Sequence, residues 1–407
     1  MRTRINSLLG FIAFCAIVWL GTNNVCAQKS VPELHKILRE KAAFNEIDFA
    51  ALQQGQTVVH VLPATDKREV AVGGFVGISV PAEVFLQSYR ESLTQKSNAA
   101  ILEIGRFSDL PTMADLQTLT IEDRDLEDLK ECAVGNCKIK LSAAMIERLH
   151  KEVDWGAPDY RVQATQLLKQ MLLDYVRDYL DRGDAALISY HDKSGEVRLA
   201  DEHQALMAGP GYLNQLLAEF RQNLKDTTKQ QVTLVENAIV WSKIKFGLKP
   251  VIALNHIMIY KRAQESGPQI IAASKQLYAN HYFDSSLALT GFVNIPGANP
   301  GSYLFYENHS RADGLEGPFG RIKRGIVEDK AVSGLKTILE SSRANFDARS
   351  FGKTESASAH ERAGGGRRWR VGKAQLFLGL MLVTAFVALF ALGNYGWKAS
   401  LSGGASR

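Results

Sequence analysis

Both ends of this chain are apolar and the middle is not, which restricts the water-soluble fold to the residues between them. At the start, Arg2 and Arg4 precede a short run built from Leu8, Leu9, Phe11, Ile12, Phe14, Ile17, Val18, Trp19 and Leu20. A polar stretch then ends in Val25-Cys26-Ala27. Basic flank, apolar core and small residues before a cleavage point are the pattern of a secretory signal, so residues 1–27 are expected to be removed after Ala27. An uncleaved signal anchor is the alternative. Near the other end, residues 374–397 carry no charge and are bounded by Lys373 and Lys398. As a helix rising about 1.5 Å per residue, such a run covers roughly 36 Å, enough to cross a hydrocarbon core of about 30 Å. Tyr395 and Trp397 close it, where amphipathic rings favour the membrane interface.

Together the two segments predict an extracytoplasmic domain, residues 28–346, in the bacterial periplasm or on the cell surface. It is expected to be tethered by a flexible basic linker (347–373) to a transmembrane helix (374–397) with a short tail (398–407). The flank charge opposes this topology. Arg367, Arg368, Arg370 and Lys373 precede the span, and only Lys398 and Arg407 follow it, whereas basic residues prefer the cytoplasmic side. A translocated domain of this size lets the signal decide.

The net charge of +5 is mostly local: residues 347–373 hold seven basic and three acidic side chains, a difference of +4. The domain itself is therefore nearly neutral, which argues against a nucleic-acid partner. The basic stretch either attracts anionic headgroups or is a plain solvated linker. With Cys15 and Cys26 lost with the signal, Cys132 and Cys137 remain, separated by a Gly135-Asn136 turn. An oxidising compartment favours a small disulfide ring there over free thiols or redox chemistry. No metal site and no cofactor is expected.

Residues 31–52 have helical periodicity. Thr57–Pro63 and Glu69–Ser79 alternate as a hairpin, and Pro81 opens a helix with Val84, Phe85, Tyr89 and Leu93 on one side. Ala100–Ile104 reads as a strand. Residues 111–226 change character and read as a mostly helical insertion, with helices over Ala143–Val153, Tyr160–Leu180 and Tyr212–Leu224 and a short strand at Ala185–His191. Five strand-like runs follow, Val235–Phe246, Val251–Lys261, Gln269–Tyr282, Leu287–Ile295 and Ser302–Glu307. Short Gly- and Pro-rich turns between them favour an antiparallel meander. A long helix to about Phe346 ends the domain, with Phe319, Ile322, Ile326, Leu335, Ile338, Leu339 and Phe346 on its apolar side. The fold class is α+β.

This order (hairpin, helix, meander, long final helix) resembles the helix-grip fold of the START and polyketide-cyclase-like proteins. The resemblance covers about 55–105 and 232–346. It implies a curved sheet wrapping the last helix and a site for a lipid or other apolar ligand between them, but transfers no motif residue by residue. The segments LKPVIALNHIMIYKR, SKQLYANHYFDSSLALT and SRADGLEGPFGRIKRG also resemble a bacterial family of secreted or anchored proteins with no assigned activity.

No nucleophile elbow, P-loop or dinucleotide fingerprint is present, so no catalytic residue is assigned. His256, flanked by Leu254 and Met258 on one strand face, reads either as a satisfied core histidine or as the polar handle of a cavity. Tyr278 and Tyr282 share strand parity and are expected to line that cavity, with His281 opposite. Arg311 either pairs locally or sits at the cavity entrance to take an anionic headgroup. His191-Asp192 and Glu202-His203 match no metal-ligand spacing and read as solvated loop polars. Two other functions stay open. One is an envelope hydrolase or cyclase using His256 or His281 as acid–base. The other is an interaction module acting through the insertion. The topology is checked by adding protease outside intact spheroplasts. Loss of the domain is expected, and full protection would reverse the orientation.

Overall fold

The computed structural model describes residues 45–96, 99–209, 232–262, 269–294, 301–315 and 320–360. The expected signal segment, the part of the expected linker beyond His360, the 374–397 run and the helix expected over Tyr212–Leu224 lie outside them. No helix among the described residues is long and apolar enough to cross a membrane.

The chain is α+β, built on one antiparallel sheet. Helix α1 (Glu46–Gln53) begins at a capping box, in which the Asn45 side chain accepts from Ile47 and Asp48 and the Asp48 carboxylate accepts the Asn45 N–H. Strands β1 (Val58–Val61) and β2 (Glu69–Ile78) form the expected hairpin, followed by α2 (Ala82–Ser92) and β3 (Ile101–Arg106). The insertion holds α3 (Asp123–Lys130), α4 (Ala143–Glu152), α5 (Tyr160–Arg182), a two-strand ribbon of β4 (Ser189–Tyr190) and β5 (Val197–Arg198), and α6 (Leu199–Ala208). The meander follows as β6 (Val232–Ile244), β7 (Val251–Arg262), β8 (Ile270–Ala279), β9 (Phe283–Asn294) and β10 (Ser302–Ala312). Helix α7 (Gly320–His360) comes last.

The eight strands of the large sheet lie in the order β1-β2-β10-β9-β8-β7-β6-β3. The last strand therefore docks on the first hairpin, and β3 closes the far side of the meander. Nearly every side chain of β2, β7, β8, β9 and β10 is buried, which requires cover on both faces. One face packs on α2 and α7. Val70, Val72, Ile257, Ala288, Phe292 and Leu304 meet Phe85 and Tyr89 from α2, and Ala331, Leu335, Leu339 and Phe346 from α7. The other face packs on the insertion and α1. There Trp241, Leu254, Leu277 and Tyr278 meet Leu129, Leu168, Leu172 and Val176, while Phe49, Leu206, Ile271, Leu289 and Phe305 form an adjoining cluster. Each fully buried aliphatic or aromatic side chain contributes about 1.5–3 kcal/mol.

Two sequence expectations shift. Ile322 and Ile326, expected on the apolar side of α7, are exposed, at 65% and 51%, and the buried leucine-rich stripe runs from Val327; Phe319 lies outside the described residues. The helix also runs past Phe346 to His360, into the stretch expected to be a flexible linker. Close approach is set by sheet glycines. At Gly74 a Cβ would lie 2.8 Å from Leu339 Cδ1 of α7. At Gly291 it would lie 1.8 Å from Phe305 Cε1, the ring that stacks on Phe75 at 5.5 Å. Replacing Gly291 by Ala therefore forces Phe305 off its stack. A destabilisation of about 1–3 kcal/mol is expected, read as a lowered thermal midpoint. An unchanged midpoint would contradict this packing.

Candidate functional site

The residues singled out in the sequence do not share one cavity. His256 and Tyr278 lie on the insertion face, away from α7. His256 Nδ1 accepts from the Tyr179 hydroxyl at 2.9 Å and its Nε2–H donates to Asn237 Oδ1. Burial, with Lys275 nearby, lowers its pKa to about 4, so it is neutral and satisfied. Tyr278 is enclosed beside Tyr190, with ring centroids 6.2 Å apart. Tyr282 does not follow it in parity, because β8 ends at Ala279 and β9 starts at Phe283, leaving Asn280-His281-Tyr282 as the turn. A bulge beside Leu254 and Asn255 shifts the register of β8 as well. Tyr282 has φ +63°, a left-handed conformation costly for an aromatic residue. Its ring packs on Phe246, and its hydroxyl accepts the N–H groups of Leu248 and Lys249.

Arg311 is no open anion site. It is buried on β10, with its guanidinium 3.0 Å from Glu202 of α6, 3.5 Å from Glu69 and 3.7 Å from Asp66. These contacts belong to a charged network running along one end of the sheet. Arg68 bridges Glu202 at 3.0 Å, Asp66 at 3.1 Å and Asp284 at 3.3 Å. Lys140 of the insertion continues it, 2.8 Å from Asp284 and 3.5 Å from Asp192. At its core His309 is wholly enclosed, with Nδ1 2.9 Å from Glu69 and Nε2 2.8 Å from Glu307. Burial alone would lower the pKa of this imidazole. The hydrogen bonds to Glu307 and Glu69 outweigh that and raise it to about 9, so His309 is an imidazolium at neutral pH.

A second polar cluster lies beside the hairpin turn. The Asp125 carboxylate of α3 accepts from His281 Nε2 at 3.0 Å, Asn280 at 3.2 Å and Lys249 at 2.9 Å. Burial raises its pKa, but the bonds from His281 and Lys249 prevail and hold it below the usual carboxylate range. Lys249 also pairs with Asp128. Nearby, Cys132 and Cys137 form the expected disulfide. The ring it closes donates Gly135 N–H to His191 O and Cys137 N–H to Asp192 O, joining α3 to the β4–β5 ribbon. Asp192 and His203, expected to be solvated, are buried at 7% and 1%. Helix α6 brings His203 Nε2 within 2.7 Å of Gln276 O and Glu202 onto the two arginines, while Asp192 lies 3.5 Å from the buried Lys140.

The opposite face has a different chemistry. Strand alternation places Ser286, Thr290, Asn308 and Ser310 on the α7 side with Phe292 and Tyr306. Ser286 and Ser310 are 2.8 Å apart, Asn308 Nδ2 donates to Ser286 Oγ at 3.1 Å, and Ser310 Oγ donates to Asn308 Oδ1 at 2.8 Å. The Tyr89 hydroxyl points at Thr290 and Tyr306, and burial raises its pKa well above the usual phenol value. Apart from one another, Tyr89 Oη and Thr290 Oγ1 have no hydrogen-bond partner, although both residues are completely enclosed. A buried hydroxyl without a partner costs about 1–3 kcal/mol, and on this face the pair shares that condition with Ser242 Oγ. Sequence inspection missed it because a lone Thr in a β-branched run and a Tyr on an apolar helix stripe both read as packing.

Among the described residues, no group of three or more His, Cys, Asp or Glu side chains could hold a metal ion. The sequence matches no protein-family model, and no curated protein matches it.

The His309 network generates a pH prediction. A pKa raised from 6.5 to about 9 on folding gives stability that is fully present below 6.5 and is lost as pH rises through 9. The thermal midpoint is expected to fall across that window. In His309→Gln stability at neutral pH is expected to be lower by the ~3–5 kcal/mol typical of breaking a buried pair, and the midpoint to lack the alkaline step. A step that persists in the variant would assign it elsewhere.

Proposed function

We propose that this is a membrane-anchored extracytoplasmic protein whose helix-grip-like core binds a lipid or other apolar molecule between the sheet and α7, without transforming it. Strand order supports the comparison: β2 beside β10, a meander across the middle, β3 at the far side, and a long helix laid over one face. The observation that carries the binding reading is the Tyr89–Thr290 hydroxyl pair, buried with no partner beyond each other in a layer that is otherwise mainly apolar. Sites for small molecules pair apolar walls with a few placed polar groups. The site is thus Tyr89, Thr290 and the Ser286–Asn308–Ser310 triad. His256 and Arg311 already have partners on the opposite face, where Tyr278 is packed with its buried hydroxyl unpartnered.

An enzyme is the second reading, and a specific observation favours one form of it. His281 is oriented by Asp125 beside a turn held at positive φ, and strained backbone clusters at functional sites. No nucleophile is placed against His281 by a hydrogen bond among the described residues, so binding without turnover is the stronger reading.

Native mass spectrometry of the full chain released from detergent checks the binding proposal. A near-stoichiometric bound mass of lipid size is expected. It should be lost in Ala288→Phe, which fills the α7 face, and kept in His256→Ala on the other. No bound mass in repeated preparations of the wild-type chain would overturn the proposal.

A further inference from the structure

We infer that the ligand of the sheet–α7 layer carries an uncharged polar head, a hydroxyl or ester carbonyl, rather than a carboxylate or a phosphate. The inference rests on the binding proposal above and specifies the chemistry of the same site.

It follows from how the fold distributes charge. The buried charged side chains of the described strands are Glu69, Lys243, Asp284, Glu307, His309 and Arg311. Alternation and pairing put them on the insertion face: Glu307 and His309 share parity with Phe305, and Lys243 with Trp241. The remaining buried charges belong to α1 and the insertion, Asp48, Asp125, Asp128, Lys140, Asp192 and His203, or to the β8–β9 turn, His281. None of them enters the layer under α7. The buried polar side chains that its strands supply are neutral and include Thr290, the Ser286–Asn308–Ser310 triad, Ser242, Asn255, Ser274 and Ser302, with the Tyr89 hydroxyl added from α2.

Charges do occur at the rim, where Arg90 and Arg106 share the single carboxylate of Glu236 and leave one positive charge in excess, but none of them is among the buried side chains of the layer. Glu236 lies 3.0 Å from Arg90 and 2.7 Å from Arg106, and Lys261 lies 2.8 Å from Glu83. An anionic head passing the rim into the buried layer would lose its hydration with no cation inside to replace it, a cost of several kcal/mol. A hydroxyl or carbonyl needs only one or two hydrogen bonds. Tyr89 and Thr290 supply one donor each, and Thr290 also accepts. The raised pKa of Tyr89 keeps it a donor at every physiological pH.

The test uses the full chain in detergent micelles with two labelled probes of one acyl chain, monoolein (neutral) and oleate (anionic) at pH 8. Monoolein is expected to bind at least tenfold more tightly than oleate. Tyr89→Phe and Thr290→Val each remove one hydroxyl with little change of shape. Each is expected to weaken monoolein roughly fivefold, the loss of one net hydrogen bond, with thermal midpoints at or above wild type. Equal or tighter binding of oleate would overturn the uncharged-head inference and leave the ligand-binding proposal intact. Monoolein affinity unchanged in both variants would remove Tyr89 and Thr290 from the site and overturn the inference as well. Binding of neither probe, with no co-purifying mass, would defeat the binding proposal itself.

Discussion

A sheet covered on both faces has to place its polar residues with a partner, and in this protein that constraint is met by His309. An imidazolium held between Glu69 and Glu307 with no exposure lets two carboxylates stay inside the sheet–insertion interface. From there the charges run through Arg311 and Glu202 to Arg68, Asp284 and Lys140. The network joins β2, β9 and β10 to α6 and to the segment before α4. It fixes how the insertion sits on the sheet. Buried pairs contribute little to net stability against an apolar equivalent, but removing one partner is expensive. Their effect here is on arrangement more than on depth of the energy minimum.

The consequence reaches the other face. With the ionic residues of β10 at odd positions, its even positions, Leu304, Tyr306, Asn308 and Ser310, are left for α7. One strand thus supplies a charged surface to the insertion and a neutral one to the final helix. Adjoining strands repeat the division, with Leu287 and Leu289 under α6 and Ala288 and Phe292 under α2 and α7.

Much of this was legible. The hairpin, the first helix after Pro81, the helical insertion, the five-strand meander and the final helix all follow from periodicity and turn residues, and the Cys132–Cys137 ring from spacing. The site was less so. Glu307, His309 and Arg311 alternate along a strand, which is a readable sign of one charged face, but a run of polar residues is ordinarily a connector and β10 was expected to stop at Glu307. It continues to Ala312 because β2 and β9 pair with it on both sides. Tyr278 and Tyr282 were separated by a turn and a bulge that parity counting cannot detect. His203 is buried and Glu202 half-buried through α6, whose short apolar stripe gives little periodic signal.

Two faces with opposite chemistry make the account directly measurable by hydrogen–deuterium exchange on the full chain, with and without saturating monoolein. The account expects slower exchange in α2, β9 and α7, and unchanged exchange in α3 to α6 behind the charged network. Protection confined to α3–α6, with α2 and α7 unaffected, would contradict it.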